Sequence, residues 1–493
     1  MAGIGFELRR ILAKDTYTSM VKGYFYATVI SSGPWLMSVI SLAFLAIYTI
    51  AFLGFEQRQL FASTIVYIYA GSLVGTGLTQ MLVTRYLADA LYQGSRRALS
   101  ETFVPVILLT LATQLPMAIG VLHGTPLSPA YRFAATMTFL LVSLIWQAMI
   151  FLSASRDYKT IVLAFALSAL ISVGAGLLWG QRFGVVGYMF GFGVGQAVAF
   201  AILTIKVFVE YGIPRRWDWS FISYIKQYPS LIGIGFFYNL AIWIDKFIFG
   251  LSERGLITAG RFPTYNHYDS SMFLAFAATI PSMAIFLART ETDFADTYKR
   301  YYDDIFFRRP YARILQSKQT MIDALKRSFT DLLKIQGLIT ALLVFFGDDI
   351  LMAVGLPYSQ TATFRYALIG AFQQVLMLFI FIVLLYFDLR GTVLFLAGLF
   401  LALISGFTLL SIQLGFPFYG LGFAVACFIA LLTSSVTLYW RIHNLEYITF
   451  ARRKIVGQRW ATGIDRSQPT GMYGRYHPCP GGHGSLKLKS NEP

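Results

Sequence analysis

Long apolar runs alternate with short polar segments along the whole chain, and they predict about twelve membrane-spanning helices. About twenty helical residues rise ~30 Å, which is the thickness of a bilayer's hydrocarbon layer. No run shows the strict in/out alternation of a membrane β-strand, so a barrel is excluded. The predicted fold class is an all-α integral membrane protein with two six-helix lobes. The twelve windows are residues 24–53, 61–87, 103–122, 131–153, 160–179, 185–208, 230–249, 268–288, 329–346, 364–387, 392–410 and 420–439.

The windows divide the chain into four predicted parts. Residues 1–210 form an N-terminal six-helix lobe that begins with an amphipathic helix, and residues 211–228 form an interfacial linker helix. Residues 229–445 form a C-terminal six-helix lobe, which includes a cytoplasmic amphipathic segment over residues 289–334. Residues 446–493 form a tail that is first basic and then rich in Gly, Pro and Ser, a composition typical of disorder.

Most of the 40 Lys and Arg residues fall in alternate inter-helix segments, which sets the predicted orientation. Because cytoplasmic loops carry excess positive charge, both termini are predicted to be cytoplasmic in a multi-pass protein of the bacterial inner membrane. The net charge of +16 therefore reflects topology. A nucleic-acid partner is excluded, since the basic residues are separated by apolar windows and do not share one face.

The composition agrees with a membrane protein, with 56% hydrophobic residues, 13% charged residues and a mean hydropathy of +0.62. Aromatic residues reach 16%. Interfacial belts and helix packing account for most such residues, but aromatic faces also stack on sugars. The aromatic content is therefore compatible with a carbohydrate path without requiring one.

Polar and aromatic residues inside the windows are candidates for lining a path through the membrane. A polar stripe in a membrane helix turns away from lipid, either toward a hydrated passage or toward a neighbouring helix with which it forms hydrogen bonds. Both interpretations stay open here. The candidate path-lining residues are Ser32, Trp35, Tyr69, Thr76, Gln80, Trp146, Gln147, Tyr238, Asn239, Trp243, Gln373 and Gln374. By contrast, Gly187, Gly191 and Gly195 recur at intervals of four, which favours close helix packing.

Three charged residues in the second half are candidates for a functional role. Asp245 and Lys246 lie near one end of the seventh window, and Asp269 lies at the start of the eighth. Intramembrane charges often mark a transport or ion pathway. The alternative is that Asp245 and Lys246 anchor a helix end in the headgroup region.

The amphipathic segment 289–334 has two interpretations. Apolar residues at helical spacing on both sides of Pro310 predict two helices. These helices form either a hairpin on the membrane surface or a docking platform for a cytoplasmic partner, with Glu291, Phe294, Tyr298 and Tyr301 as the docking candidates.

No pattern of enzyme chemistry is present in the sequence. A phosphate-binding Gly-Lys-Ser/Thr loop is missing, and no loop is long enough for a nucleotide-sugar domain. His477, Cys479 and His483 match no metal-ligand spacing. We therefore expect neither catalytic activity nor a cofactor or metal.

Four sequence stretches resemble the PelG family, the integral inner-membrane components of Pel exopolysaccharide systems. They are MAGIGFELRR at the start, ISSGPW in the first window, WIDKF in the seventh and ARTETDFADTYKRYYDDI after the eighth. The resemblance covers about residues 1–455. It implies the multidrug, oligosaccharidyl-lipid and polysaccharide exporter superfamily (MOP) with a MATE-like fold. It also implies a polysaccharide substrate rich in N-acetylgalactosamine, a cytoplasmic glycosyltransferase as partner, and other Pel membrane components that include a cyclic-di-GMP receptor.

Two functions are therefore considered. The first is export of a polysaccharide made by a separate glycosyltransferase. The second is ion-coupled flipping or export of a lipid-linked saccharide or small molecule. The first six windows carry no mid-membrane Asp or Glu. This favours export driven by polymer synthesis, with Asp245 or Asp269 as the alternative coupling residues.

Overall fold

The computed structural model describes residues 37–45, 47–155, 158–289 and 293–447, and these are predominantly helical. Ser32, Trp35, Glu291, the N-terminal amphipathic helix and the tail from residue 448 lie outside the described residues. The helices, numbered α1 to α15 in chain order, are Met37–Thr49, Phe55–Tyr92, Arg96–Leu122, Pro129–Ser155, Tyr158–Tyr211, Ser223–Gln227, Pro229–Gly250, Asn266–Ala277, Ile280–Arg289, Ala295–Phe306, Tyr311–Phe345, Gly347–Val354, Thr361–Tyr386, Arg390–Leu414 and Leu421–His443.

Within the described ranges, nine helices are long and apolar enough to cross a membrane. This confirms the predicted all-α membrane class, and three features relate these nine to the twelve predicted windows. Helix α5 contains two windows, the eighth window is divided between α8 and α9, and the first window lies partly outside the described residues. The arrangement is therefore consistent with twelve spans.

Helix α5 is a hairpin of two spans. Gly184 has φ 57° and ψ −139°, a conformation that interrupts the helix and that an L side chain rarely adopts. The two arms then pack with almost no space between their backbones, because a methyl group at Gly191 would overlap the backbone of Gly176. A methyl group at Gly195 would likewise overlap Ser172. The prediction that these glycines allow close helix packing is confirmed.

The eighth window is broken between α8 and α9. Pro281, in the first turn of α9, has no backbone N–H and disfavours a helical conformation at the preceding residue. Pro281 cannot donate to the Ala278 carbonyl, and Gln336 of α11 donates to this carbonyl at 3.3 Å. Gln336 also accepts a hydrogen bond from Ser282 and is 1% exposed. The break is thus satisfied by a neighbouring helix.

Two short strands follow α7 and were not predicted. Strand β1, Leu256–Thr258, pairs antiparallel with β2, Phe262–Thr264, and Ile257 lies opposite Pro263. This hairpin packs against the N-terminal half of α2, where the Tyr67 hydroxyl donates to the Pro263 carbonyl at 2.7 Å. We call the side of the molecule that carries β1 and β2 the hairpin side.

The segment between α5 and α7 lies at the other end of α2, on what we call the linker side. It contains a 3-10 turn, Ser220–Ile222, and the short helix α6. Phe221 is completely buried, whereas Trp217 and Trp219 are exposed. Asp218 and Ser220 both contact the Tyr86 hydroxyl, at 2.8 Å and 2.7 Å. The linker is therefore attached to the first half of the chain through α2.

Helices α10 and α11 form an antiparallel hairpin whose turn contains Pro310. An ion pair joins Arg313 to Asp304 across the hairpin at 3.3 Å. The two helices that the sequence predicts on either side of Pro310 are therefore present. However, α11 has 35 residues and begins well before the apolar window 329–346, so it is one continuous helix that extends beyond the span.

Two clusters of buried apolar side chains hold α2 to α5 together. One lies toward the linker side and includes Phe103, Phe151 and Leu203. The other lies toward the hairpin side and includes Phe61 and Tyr188. By their contacts, the described residues up to Val436 form one compact unit, and those from Thr437 onward belong to a second.

Candidate functional site

The first and second halves of the chain meet along α2 and α7, which lie antiparallel. Tyr67 stacks on Phe247 near the hairpin side, with ring centroids 5.4 Å apart. On the linker side the Arg85 guanidinium lies 5.5 Å from the centre of the Tyr228 ring. The two helices are therefore in contact from Tyr67 to Arg85 of α2 and along nearly all of α7. We call this contact the α2–α7 interface.

Glycines bring the two backbones together between these ends. A methyl group at Gly235 would overlap the Gly77 carbonyl oxygen, and one at Gly77 would lie 2.8 Å from the Gly235 carbonyl oxygen. The side-chain amide of Asn239 also lies against Gly77. In this conformation no space remains between α2 and α7 at this level. Asn239 is thus a candidate lining residue at the closed point of the interface.

Polar side chains of α2 meet polar side chains of α4. The Trp146 indole N–H donates to the Ser72 hydroxyl at 3.2 Å, and the Gln147 amide donates to the Thr79 hydroxyl at 2.7 Å. Within α2, the Gln80 amide donates to the Thr76 hydroxyl at 3.3 Å.

Ser72, Thr76 and Gln147 are almost completely buried, whereas Gln80, Trp146 and Tyr69 are partly buried. Ser72, Trp146 and Gln147 therefore form hydrogen bonds between α2 and α4 in this conformation, whereas Thr76 and Gln80 form theirs within α2.

Tyr238 on α7 and Gln374 on α13 lie beside a group of aromatic rings. The Tyr238 ring lies 6.1 Å from Phe381 and 6.3 Å from Phe400, and its hydroxyl interacts with Gln374. Gln374 is 5% exposed and its neighbour Gln373 is partly buried. Within the part of the chain that the structure describes, the Trp243 indole N–H is buried without a hydrogen-bond partner.

Asp245 is buried completely and is held by three hydrogen bonds. The Lys246 ammonium lies 2.9 Å and 3.0 Å from its two carboxylate oxygens, and the Tyr268 hydroxyl donates to it at 2.8 Å. Lys246 also donates to the Ile242 carbonyl at 2.9 Å and lies 5.2 Å from the centre of the Phe276 ring. The carboxylate and ammonium thus form a buried pair inside the second half, which differs from a headgroup anchor.

Asp269 lies beside this pair. One of its oxygens accepts a hydrogen bond from the Tyr265 backbone N–H at 3.2 Å. The other oxygen is buried and has no hydrogen-bond partner among the residues described. Asp269 interacts electrostatically with Lys246 and Asp245. The structure therefore brings the three charged candidates into one cluster.

The docking candidates of segment 289–334 lie mostly inside the fold. Phe294 and Tyr301 are 0% exposed, and the Tyr298 hydroxyl donates to the Tyr386 carbonyl at 2.7 Å. A partner could not reach Phe294 or Tyr301 without opening this packing. The expectation that these two rings form a docking surface therefore needs correcting, because Phe294 packs on Tyr386 at the end of α13 and Tyr301 is completely buried.

Sequence reasoning missed several residues of this region. Tyr268, which binds Asp245, is 23 positions away in the chain, and no motif connects them. Gly77 and Gly235 carry a weak signal, since small residues inside a span often mark close helix contacts. Ser72 and Thr79 lie within one helical turn of the candidates Thr76 and Gln80 on α2.

A cavity of about 160 Å³ lies beside the α2–α7 interface toward the hairpin side. Its walls include Tyr67, Gly71, Met117, Phe139 and Phe247. These walls are almost entirely apolar, so the cavity offers few hydrogen bonds to a sugar. The hydrogen-bonding groups lie at the contacts of α2 with α4 and of α7 with α8. For the described residues, no group of three or more His, Cys, Asp or Glu could hold a metal ion.

Comparison with known proteins agrees with this arrangement. Residues 1–450 match the PelG family model, described as "Putative exopolysaccharide Exporter (EPS-E)". No curated protein matches the chain. The chain is similar in structure to an outward-facing multidrug resistance MATE family transporter of the MOP superfamily, with 15% identity, coverage of 86% of this chain and 96% of that chain, and a TM-score of 0.61.

Two further solved structures show the same fold. A MOP superfamily transporter from Pyrococcus furiosus is 13% identical, with coverage of 86% of this chain and 96% of that chain and a TM-score of 0.60. The Vibrio cholerae MATE transporter VcmN in its bent form is 14% identical, with coverage of 87% and 98% and a TM-score of 0.61. At these identities the likeness shows the fold alone, and it identifies the chain's architecture as that of a MATE-like transporter.

Proposed function

This chain belongs to the PelG family of exopolysaccharide exporters, and from that premise we propose that it exports a Pel-type polymer rich in N-acetylgalactosamine. In this proposal it works in the bacterial inner membrane with both termini in the cytoplasm. A separate cytoplasmic glycosyltransferase supplies the polymer, and other Pel membrane components complete the system. The observation that carries the proposal is the family match over residues 1–450.

The chemistry of the α2–α7 region supports a sugar substrate. A neutral acetylated polymer requires hydrogen-bonding amides and aromatic faces more than a strong electric field. Asn239, Tyr238 and Trp243 supply such groups on α7, and Gln374 supplies an amide on α13. The polymer would pass once α2 and α7 separate, because these helices leave no space between Gly77 and Gly235 in the closed conformation.

Export is tested in cells that lack this chain but retain the rest of the system. The secreted polymer is measured with a lectin that recognises N-acetylgalactosamine, with the chain restored as wild type or as Asn239→Leu. We expect wild type to restore secretion and Asn239→Leu to reduce it at least fivefold at equal membrane abundance. Gln319→Leu, on the exposed face of α11, serves as the control and should restore secretion fully. Normal secretion without the chain would refute the proposal.

The buried charged cluster favours one second candidate, an exporter coupled to an ion gradient. Asp269 has a buried oxygen that makes no hydrogen bond within the described ranges, beside the Asp245–Lys246 pair. Such a group is a candidate for binding a proton or cation. Uptake of a small cationic drug by proteoliposomes under a proton gradient, abolished by Asp269→Asn at wild-type abundance and melting temperature, would support this function. Absence of gradient-dependent uptake by wild type would exclude proton-coupled transport of that drug.

A further inference from the structure

The turn between α10 and α11 exposes an unusual set of side chains. Phe306, Phe307 and Tyr311 are 74%, 55% and 62% exposed. Arg308 and Arg309 lie between them and are also exposed. We call residues 306–311 the tip. Three large aromatic rings in one exposed turn are typical of an interaction site, since burying each ring removes a large apolar area from water.

The hairpin that carries the tip begins at the end of a candidate membrane span. Helix α10 begins against the end of α13, where Phe294 lies 5.3 Å from the ring of Tyr386. Tyr386 is the last residue of a membrane-spanning helix. From there α10 runs for 12 residues, or ~18 Å.

Helix α11 gives the same result independently. Its 35 residues correspond to ~52 Å, which exceeds the ~30 Å hydrocarbon layer by ~20 Å. The excess lies at the N-terminal end, because the apolar window begins only at residue 329. With α11 along the membrane normal, the tip would lie beyond the headgroups, where a soluble partner can bury its aromatic rings.

The backbone of the tip is held in a conformation that costs energy. Arg308 has φ 52°, a left-handed conformation that suits glycine and costs an L side chain roughly 1 kcal/mol. Backbone hydrogen bonds fix it, from the Arg308 N–H to the Ile305 carbonyl at 3.1 Å and from the Arg309 N–H to the Asp304 carbonyl at 2.9 Å. A charged side chain thus occupies a position where glycine would be easier to accommodate.

Charge indicates what kind of surface fits the tip. The Arg313 guanidinium is paired with Asp304. Arg308 and Arg309 lie next to the exposed rings. Neither forms an ion pair with another described residue. A complementary partner presents an apolar pocket for the rings with an acidic rim for the arginines.

We propose that the tip is the docking site for the soluble glycosyltransferase that makes the polymer, through an apolar pocket with an acidic rim on that enzyme. The identity of the enzyme rests on the proposed function, whereas the position of the site rests on the geometry of the hairpin. The hairpin begins at the end of α13, and Arg390 just after that end lies 4.4 Å from the centre of the Tyr228 ring on the linker side. Docking at this hairpin therefore places the source of the polymer near the linker side of the α2–α7 interface.

The test measures binding of the purified glycosyltransferase of the same system to the full chain in nanodiscs by biolayer interferometry. We expect Phe306→Ala/Phe307→Ala to weaken binding at least tenfold. Arg308→Gly removes one charge while easing the backbone, so it should weaken binding severalfold, reduce its salt dependence and leave the melting temperature unchanged or higher. Tyr358→Ala, which removes a ring of 69% exposure outside the hairpin, is the matched control and should bind as wild type does.

Two results would overturn the inference. One is unchanged or undetectable binding of the enzyme across wild type and both tip variants. The other is quenching of a bimane label on Phe307→Cys by nitroxide lipids before the enzyme is added, which would place the tip in the membrane. The assay uses no transport, so it separates the two proposals. If the enzyme does not bind at the wild-type tip while export is intact, only the docking site is refuted. If the enzyme binds at the tip of a chain that has no role in secretion, only the export function is refuted.

Discussion

A carboxylate inside an apolar helix is stable only where protein donors replace water, and Asp245 has such donors on two helices. Lys246 comes from the same helix and Tyr268 from α8. Because the pair is largely buried, its net contribution to stability is small, but loss of one member removes the charge that compensates the other. The Tyr268 hydroxyl links this pair on α7 to α8.

Asp245→Asn should lower the stability of the protein, by up to about 3–5 kcal/mol, because it removes the carboxylate that is paired directly with the Lys246 ammonium and leaves only the nearby Asp269 as a negative charge. Thermal unfolding in detergent measures this effect. Asp245→Asn/Lys246→Met should recover most of the loss, since both charges are then absent. Asp388→Asn breaks the more exposed pair with Arg390 and should cost less than ~1 kcal/mol. Equal losses in the two single variants would contradict the argument.

Gly235 tests the closeness of the α2–α7 interface. Gly235→Ala introduces a methyl group that overlaps the Gly77 carbonyl, so we expect a clear fall in melting temperature and a shift toward conformations with separated helices. Gly174→Ala is the matched control, because a methyl group there meets nothing within 4 Å. Its better helix propensity should stabilise the protein by roughly 0.5–1 kcal/mol. Opposite signs for the two substitutions are the expected outcome, and a shared sign would refute it.

At the scale of elements, the linker between α5 and α7 is held by a polar network that the sequence did not predict. Although partial burial opposes it, hydrogen bonds from Ser220 and Tyr86 and the nearby Arg216 charge lower the pKa of the Asp218 carboxyl. Close by, burial and the Asp89 carboxylate raise the pKa of the Tyr224 hydroxyl, which donates to Asp89 at 3.1 Å. These bonds require an ionised Asp218 and a protonated Tyr224, as at neutral pH.

The Asp218 contribution should disappear in acid. Its folded-state pKa lies below the unfolded value, so the stabilisation is complete above about pH 4 and is lost as the pH falls through the folded pKa. Melting curves between pH 7 and pH 3 should show wild type above Asp218→Asn at neutral pH and the two converging in acid. A constant difference over this range would show that Asp218 does not act through its charge.

Hydrophobic periodicity was sufficient to predict most of the helices but not their interruptions or extensions. The spans were predictable because membrane helices need about twenty apolar residues, whatever their neighbours. The position of the α8–α9 break depends on Pro281 and on Gln336, a residue 58 positions from the carbonyl it binds. The β1–β2 hairpin is only three residues per strand, too short to show a period. The extension of α11 is polar, and length alone does not separate it from a surface helix.

Site residues were harder to predict than spans. Thr76, Gln80, Trp146 and Gln147 were found by their polarity inside apolar windows, yet polarity does not reveal whether a group faces a passage or another helix. Asp245 was identified, but its burial depends on Tyr268, which only the fold brings near. For Phe294 and Tyr301, helical spacing identified a packed face, and the exposed aromatic residues lie at the turn, where no periodicity applies.

At the scale of the whole molecule, we expect a disulfide across the α2–α7 interface to stop export. Tyr67→Cys/Phe247→Cys places thiols where rings now stack at 5.4 Å. Oxidation should abolish polymer secretion and a reductant should restore it, because the helices can no longer separate. Phe103→Cys/Phe151→Cys, at 5.1 Å within the first half, is the control pair and should be insensitive to oxidation. Continued secretion by the oxidised Tyr67→Cys/Phe247→Cys variant would place the route elsewhere.

The contact between Gly77 and Gly235 has a consequence for leakage. A small solute needs these helices apart only for the moment of its crossing, whereas a polymer longer than the membrane is thick holds them apart for as long as it is being made. Under the proposed export function, the sugar chain itself blocks protons and ions during secretion. When the last sugar unit leaves, the backbones of Gly77 and Gly235 meet again and close the route.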